Sequence, residues 1–521
     1  MSLSFGATWR SSEFYAARAR DTSAWIGGVA AALGVAYAIL IVATDGAPML
    51  LAPLGIILVV GAIVLRPVAG LYMLAGIAVL LEQFDLPRNV PITAQTHIYQ
   101  NISAFTPIPL RLSPVDLLLL LTLASCAVRH LAHRERPRVG PFAVPVALYL
   151  GAFALGAVIG IARGAGWDPD ATLAELRGPM YAVVLYFLSA DLIRTRSQLV
   201  VIVWTFIALI AVKALQGIAT YMTTGGTYEE VTGHEDVIFF NVGLALALVA
   251  LVLGVRTRLA VAAMAVAPFI MAAELFTQRR AGFVGLAVIG IAVSLLFLVR
   301  QPRRGMLMLA TGVLCVGAYL PLFWDDDGPI GQPIRALRAA MDDPDVSLRD
   351  QLSDEWRVIE NANIAFTLRQ VPLTGVGVGQ EYFFQQEPPR LPASFTFWRN
   401  ITHNALMWLW LKAGPFGAFA LWFLVARVIL TGSAIWARLR DPELRLLATI
   451  PIAFLIGQII FSSVELGLTY SRTMILLGVT LGTASFLAAA SSSQGENPLV
   501  HRSGRTPCDP PRSAQAENSL Q

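Results

Sequence analysis

This sequence predicts an all-α, polytopic bundle of about 12–14 transmembrane helices, with one large outer-face loop containing an amphipathic helix. Three observations predict it. Of 521 residues, 56% are hydrophobic and only 14% charged, too little polar surface to cover a soluble globule. The apolar segments recur along the chain as continuous runs of roughly 18–22 residues, which suits membrane-crossing helices and not the alternating strands of a barrel. Lys and Arg gather in alternate loops, as in a chain that crosses a membrane repeatedly.

The first 23 residues carry Arg10, Arg18 and Arg20, with no small-residue cleavage site after a short apolar core. Residues 1–23 therefore read as a cytoplasmic N-terminal segment, and the first apolar run as a retained anchor. Runs follow at residues 24–44, 48–65, 67–84, 114–131, 141–162, 177–192, 198–222, 237–254, 259–276, 281–299 and 306–323. These fill residues 24–323. Three more, at 403–425, 446–466 and 470–489, make up a C-terminal membrane part over 403–490. The basic loops 129–138, 194–197, 256–258, 301–304 and 427–445 share one side if every run crosses, and that side is the cytoplasm. The long interval 324–402 then lies outside, as a periplasmic loop. Residues 491–521 are rich in Ser, Pro and Arg and read as a disordered cytoplasmic tail.

Within the long loop, Leu348, Leu352, Ile359, Asn363 and Phe366 fall at helical spacing, with Ser347 as a cap and Pro372 as a stop. This segment is expected to lie along the membrane surface. Next comes PLTGVGVGQ, whose Gly375, Gly377 and Gly379 follow no soluble strand. They read as a turn needing positive φ and close backbone approach, not as a dinucleotide loop. His403 and Asn404 then open an apolar helix, a capping cluster by position. An imidazole there also suits proton removal near neutral pH, and surrounding arginines would depress its pKa.

Charged groups are costly in membrane spans, about 2.5–3.5 kcal/mol on insertion scales, so those present need a partner or a task. Arg111, Arg177, Arg279, Arg280 and Arg472 stand at outer helix ends, against the positive-inside bias. A single one reads as the partner of Glu175, Glu274 or Glu465, or as snorkelling to headgroups. Arg177, Arg280, Arg357 and Arg472, together with His403, read as a seat for a shared anionic ligand such as a diphosphate, which guanidinium groups grip through paired hydrogen bonds. Lys213 stands mid-span without an evident partner. Cys126, Cys315 and Cys508 lie far apart and imply neither a disulfide framework nor a Cys-based metal site; Cys126 and Cys315 read as core or lipid-facing. The six histidines show no metal-ligand spacing, so no metal or cofactor is expected.

The order Arg357, then Pro372 opening PLTGVGVG, then THNALMWLWLKAGPFGAF resembles the signature of the O-antigen ligase and polymerase superfamily of bacterial membrane glycosyltransferases. FTQRRAGFVGLAV at 276–288 resembles the family's Ser-Arg-Gly-like segment, with Arg280 on the arginine position. Asn361 stands where many members have tryptophan, Arg279 and Ala281 replace a small polar residue and glycine, and Lys412 lies near a frequent acidic position. The resemblance implies metal-independent glycosyl transfer at the outer face of the inner membrane. The donor would be a glycan on undecaprenyl diphosphate. The acceptor would be a sugar hydroxyl of a lipid A core for a ligase, or of another lipid-linked glycan for a polymerase. Carried over, Arg280 and Arg357 hold the diphosphate and His403 activates the hydroxyl; Arg177, Arg279 and Arg472 join them on topology. No nucleic-acid partner is expected. A transporter or flippase of an anionic or lipid-linked solute is the competing class.

Overall fold

The structure is a computed structural model and describes residues 51–84, 92–225, 231–326, 328–339, 348–388 and 396–495. Among the described residues it is all-helical, with fifteen α-helices and no strand. Contacts divide the chain into two units, Met1–Arg66 and Pro67–Gln521. The first contributes one described helix, α1 (Leu51–Leu65), which has no charged residue. The expected run at 24–44, the segment 1–23 and the tail beyond Gly495 lie outside the described residues.

The second unit contains α2 (Pro67–Leu80), α3 (Pro114–His133), α4 (Ala143–Arg163), α5 (Pro169–Leu192), α6 (Arg196–Thr224), α7 (Asp236–Leu253), α8 (Arg258–Thr277) and α9 (Arg280–Arg300). It continues with α10 (Pro302–Leu322), α11 (Gln332–Ala339), α12 (Leu348–Gln370), α13 (Ala405–Arg438), α14 (Pro442–Ser462) and α15 (Ser471–Gly495). Among the described residues ten helices, α3, α4, α6 to α10 and α13 to α15, are long and apolar enough to cross a membrane. The chain is a multi-pass membrane protein. Helices α14 and α15 are buried on nearly every side and form the centre, whereas α10 exposes almost its whole apolar surface at the rim.

Local signals explain the starts. Ser113 and Asp116 form a reciprocal capping box on α3, and Thr195 with Gln198 does the same for α6. Helix α5 begins earlier than its apolar run implies. Asp168 caps it and Pro169 takes the first turn, so Asp170, Glu175 and Arg177 all ride on the helix. The polar half is accommodated because Glu175, fully buried, meets the equally buried Lys412 of α13 at 2.7 Å.

Helix α13 is longer than expected, running through to Arg438 across a break at Gly414 (φ 63°) and Pro415. Proline has no N–H, so the carbonyl four residues back, on Leu411, loses its helical donor. Val376 of the glycine turn takes that place, its N–H donating to Leu411 O at 2.7 Å. The turn is thus docked inside the bundle. Gly375, Gly377 and Gly379 all have positive φ, as the sequence predicts, and a Cβ on Gly377 would overlap the Gly160 backbone of α4. Gly379 N donates to Glu175 Oε2 at 2.6 Å, and Lys412 Nζ donates to the Gln380 carbonyl, which ties α5, α13 and the turn together.

A helix does occupy the long loop; of the expected stripe, Ile359 and Asn363 are buried and Phe366 half-buried, while the side chains of Leu348 and Leu352 lie outside the described residues. Trp356, Ile359, Glu360, Asn363, Ile364 and Thr367 of α12 are buried. Asn363 and Thr367 are tolerated there because protein satisfies them: Asn363 accepts from Gln385 N and Gln386 N and donates to Gln386 O, while Thr367 accepts from Phe383 N.

Candidate functional site

Helix α12 carries Asp354, Arg357 and Glu360 at three-residue steps. At about 100° per residue each step turns back about 60°, so the three side chains fan toward three different neighbours. Asp354 meets Arg280, the first residue of α9, in a forked pair at 3.0 and 3.1 Å. Arg357 reaches Glu465, in the loop between α14 and α15, at 3.1 Å, and also approaches Asp354 at 3.6 Å. Glu360 takes His403: its Oε2 accepts from the His403 backbone N at 3.0 Å, and its Oε1 lies 3.2 Å from Nδ1. A carboxylate only accepts, so Nδ1 carries the proton in that contact. Asn404 N-caps α13, accepting from Met407 N, and its Nδ2 reaches Asn361.

His403 lines a cavity of about 640 Å³ together with Arg177, Glu465, His234, Glu235 and Tyr99. Aromatic rings crowd the same corner. Trp356 lies edge-on to both His403 and Trp398, and Trp398 stacks on Phe384 with the Arg399 guanidinium over both rings.

The sequence expectation for His403 was a depressed pKa; the structure reverses it. Burial works against the imidazolium, but the Glu360 hydrogen bond and charge, then Glu465, outweigh burial and Arg357, and the net shift is upward. Glu465 shifts the other way. Burial raises it, yet His234, His403, Arg357 and Arg279 together hold it below the usual carboxylate range. Four basic side chains from separate parts of the chain thus act on one carboxylate. In an NMR titration of labelled histidine, His403 should titrate above its ordinary 6.5. Glu360→Gln removes the partner that favours the charged form, so the midpoint should fall; an unmoved midpoint would show that Glu360 does not set it.

The remaining expected residues divide. Arg279 occupies the N-cap position of α9 without a side-chain cap bond, following Gln278 in the left-handed region, and its charge acts on Glu465. Arg177 faces the cavity but is engaged by Asn101 at 2.6 Å and Asp116 at 3.2 Å. Arg111 pairs with Asp170 at 3.1 Å. Arg472 does not reach the cavity at all. It is fully buried, with Glu82, Glu235 and Asp236 at 2.7, 2.8 and 2.5 Å and the carbonyls of Ala78 and Val79 completing its fork. There it ties three acidic side chains together. Lys213 is not solitary either, since Glu82 and Asp236 both pair with it.

Sequence reading missed Glu360 and Asp354. Both sit three residues from the singled-out Arg357, and that i, i+3 spacing of charges on one predicted helix was the available signal. No protein-family model matches the chain, and no curated protein does.

Proposed function

We propose that the protein is a membrane glycosyltransferase of the O-antigen ligase type, working at the outer face of a bacterial inner membrane. Its donor is a glycan on undecaprenyl diphosphate and its acceptor a sugar hydroxyl. The observation that carries this reading is that Arg280 and Arg357, from different helices, converge on the single carboxylate of Asp354, next to the His403–Glu360 pair. Asp354 is partly exposed and stands where an incoming anion would be held.

In this mechanism the diphosphate displaces Asp354 and takes the two guanidinium forks. The acceptor oxygen attacks the anomeric carbon, the bond from that carbon to the phosphate oxygen breaks, and the electron pair leaves with the diphosphate. His403 takes the hydroxyl proton at Nε2 while Glu360 holds Nδ1–H and stabilises the imidazolium. Guanidinium donors fixed in advance favour the charge that develops on the leaving group. Phe84, an exposed ring on the cavity wall, supplies a face on which a sugar can stack.

The test is incubation of purified protein with the lipid-linked glycan, with and without a lipid A core acceptor. Transfer only to the core means a ligase, and a ladder of longer lipid-linked chains means a polymerase. No product in either case defeats the reading. Arg357→Lys should raise the donor KM, because an ammonium cannot reproduce the fork. Asp354→Asn should lower it a few-fold, since a partly exposed pair is worth about 0.2–1 kcal/mol. A raised KM in Asp354→Asn would instead make Asp354 a positioning residue for the arginines.

The buried cluster of Glu82, Lys213, Glu235, Asp236 and Arg472 favours a second reading, a carrier of an anionic lipid-linked solute. Protein-dependent movement of the intact donor across a liposome membrane, without glycan transfer, would support it.

A further inference from the structure

We propose that Cys126, His130 and Asp191 form a binding site for a zinc-like divalent cation, at the end of the bundle away from His403. The site is independent of the transfer reaction. Cys126 and His130 are four residues apart on the last turns of α3, which places them on one face. Asp191 is the next-to-last residue of α5. The three ligand atoms lie within 4.8 Å of one another, although the sequence spacing implied no such cluster.

The geometry is close to what a tetrahedral ion needs. Metal bonds of about 2.0–2.3 Å put neighbouring ligand atoms about 3.3–3.8 Å apart. Cys126 Sγ is already 3.5 Å from Asp191 Oδ2, and His130 Nε2, at 2.7 Å from the same oxygen, has to open by less than about 1 Å.

The second carboxylate oxygen is turned away and fixed. Asp191 Oδ1 accepts from Arg138 N at 3.0 Å and from Arg194 at 3.3 Å, while Arg194 Nε also holds the Asp191 carbonyl. Outer contacts of this kind orient a metal-binding carboxylate. Cys126 and Asp191 are buried and His130 nearly so.

Charge and softness select the ion. On binding, the Cys126 thiol loses its proton to solvent, so that thiolate and carboxylate together cancel a 2+ charge in a buried place. One sulfur, one imidazole nitrogen and one carboxylate oxygen suit zinc and not calcium or magnesium. Arg194 and Arg129 act against a cation, but Glu135 shares the Arg194 charge at 3.0 Å. Binding is therefore expected at micromolar zinc.

Tag-free, detergent-solubilised full-length protein, dialysed against micromolar zinc chloride, should retain about one zinc per chain by elemental analysis. Cys126→Ser and Asp191→Asn should bind at least tenfold more weakly, while Cys315→Ser and His133→Ala, both at exposed positions, should bind as the parent does. Cobalt(II) loaded into the unaltered protein should give a thiolate-to-cobalt charge-transfer band, which needs no variant to fold. Equal zinc content in the parent and a folded Cys126→Ser variant, or a cobalt spectrum without the thiolate band, would overturn the proposal and leave a hydrogen-bonded triad.

Discussion

Replacing His403 with alanine should lower glycan transfer by about 10²–10⁴-fold, the usual contribution of a positioned general base, while donor binding stays close to that of the parent. The split is expected because the imidazole meets Glu360 and the cavity, whereas the proposed diphosphate seat is Arg280 and Arg357. The change should leave the start of α13 intact, since Asn404 and not His403 caps it. It does strip one partner from the buried Glu360, so His403→Asn, which can still donate to that carboxylate, is the companion variant. Both should be inactive, with melting temperatures near the parent's. Full activity in either one would remove His403 from the chemistry.

Arg472→Met should produce the largest loss of stability. Breaking a buried ion pair by deleting one partner typically costs about 3–5 kcal/mol, and here three carboxylates lose their shared cation. Most of the protein should then fail to appear as a single species in size-exclusion chromatography. Arg472→Lys should rescue poorly, because one ammonium cannot serve carboxylates on both arms and two backbone carbonyls. If Arg472→Met folded with an unchanged melting temperature and lost only donor binding, the residue would belong to the ligand site after all.

The membrane helices were legible because continuous apolar runs need no partner to be recognised. Helix α5 was half hidden, since Asp170 and Glu175 lie ahead of the apolar run 177–192 and join the helix only once Asp168 is seen to cap it and Lys412 to pair with Glu175. The glycine turn was legible as backbone requiring positive φ, but not its docking on Leu411, which depends on how a break at Pro415 faces a loop earlier in the chain. At the site, the residue types of Arg280, Arg357 and His403 could be chosen from sequence. Their electrostatics could not: the sign of the His403 shift turned on Glu360, a contact 43 residues away that no spacing announces.

The seating of the glycine turn also fixes the length of the chain around it. Val371 N donates to Thr367 O and Gly375 N to Val371 O, so α12 runs into the docked turn without slack. One residue inserted there would rotate α12 by about 100° against the bundle. Asp354, Arg357 and Glu360 would then leave Arg280, Glu465 and His403 in a single step. Natural variation in loop length should therefore be absent between Asp354 and Gly377, because that interval acts as a ruler between a membrane helix and the groups it aligns.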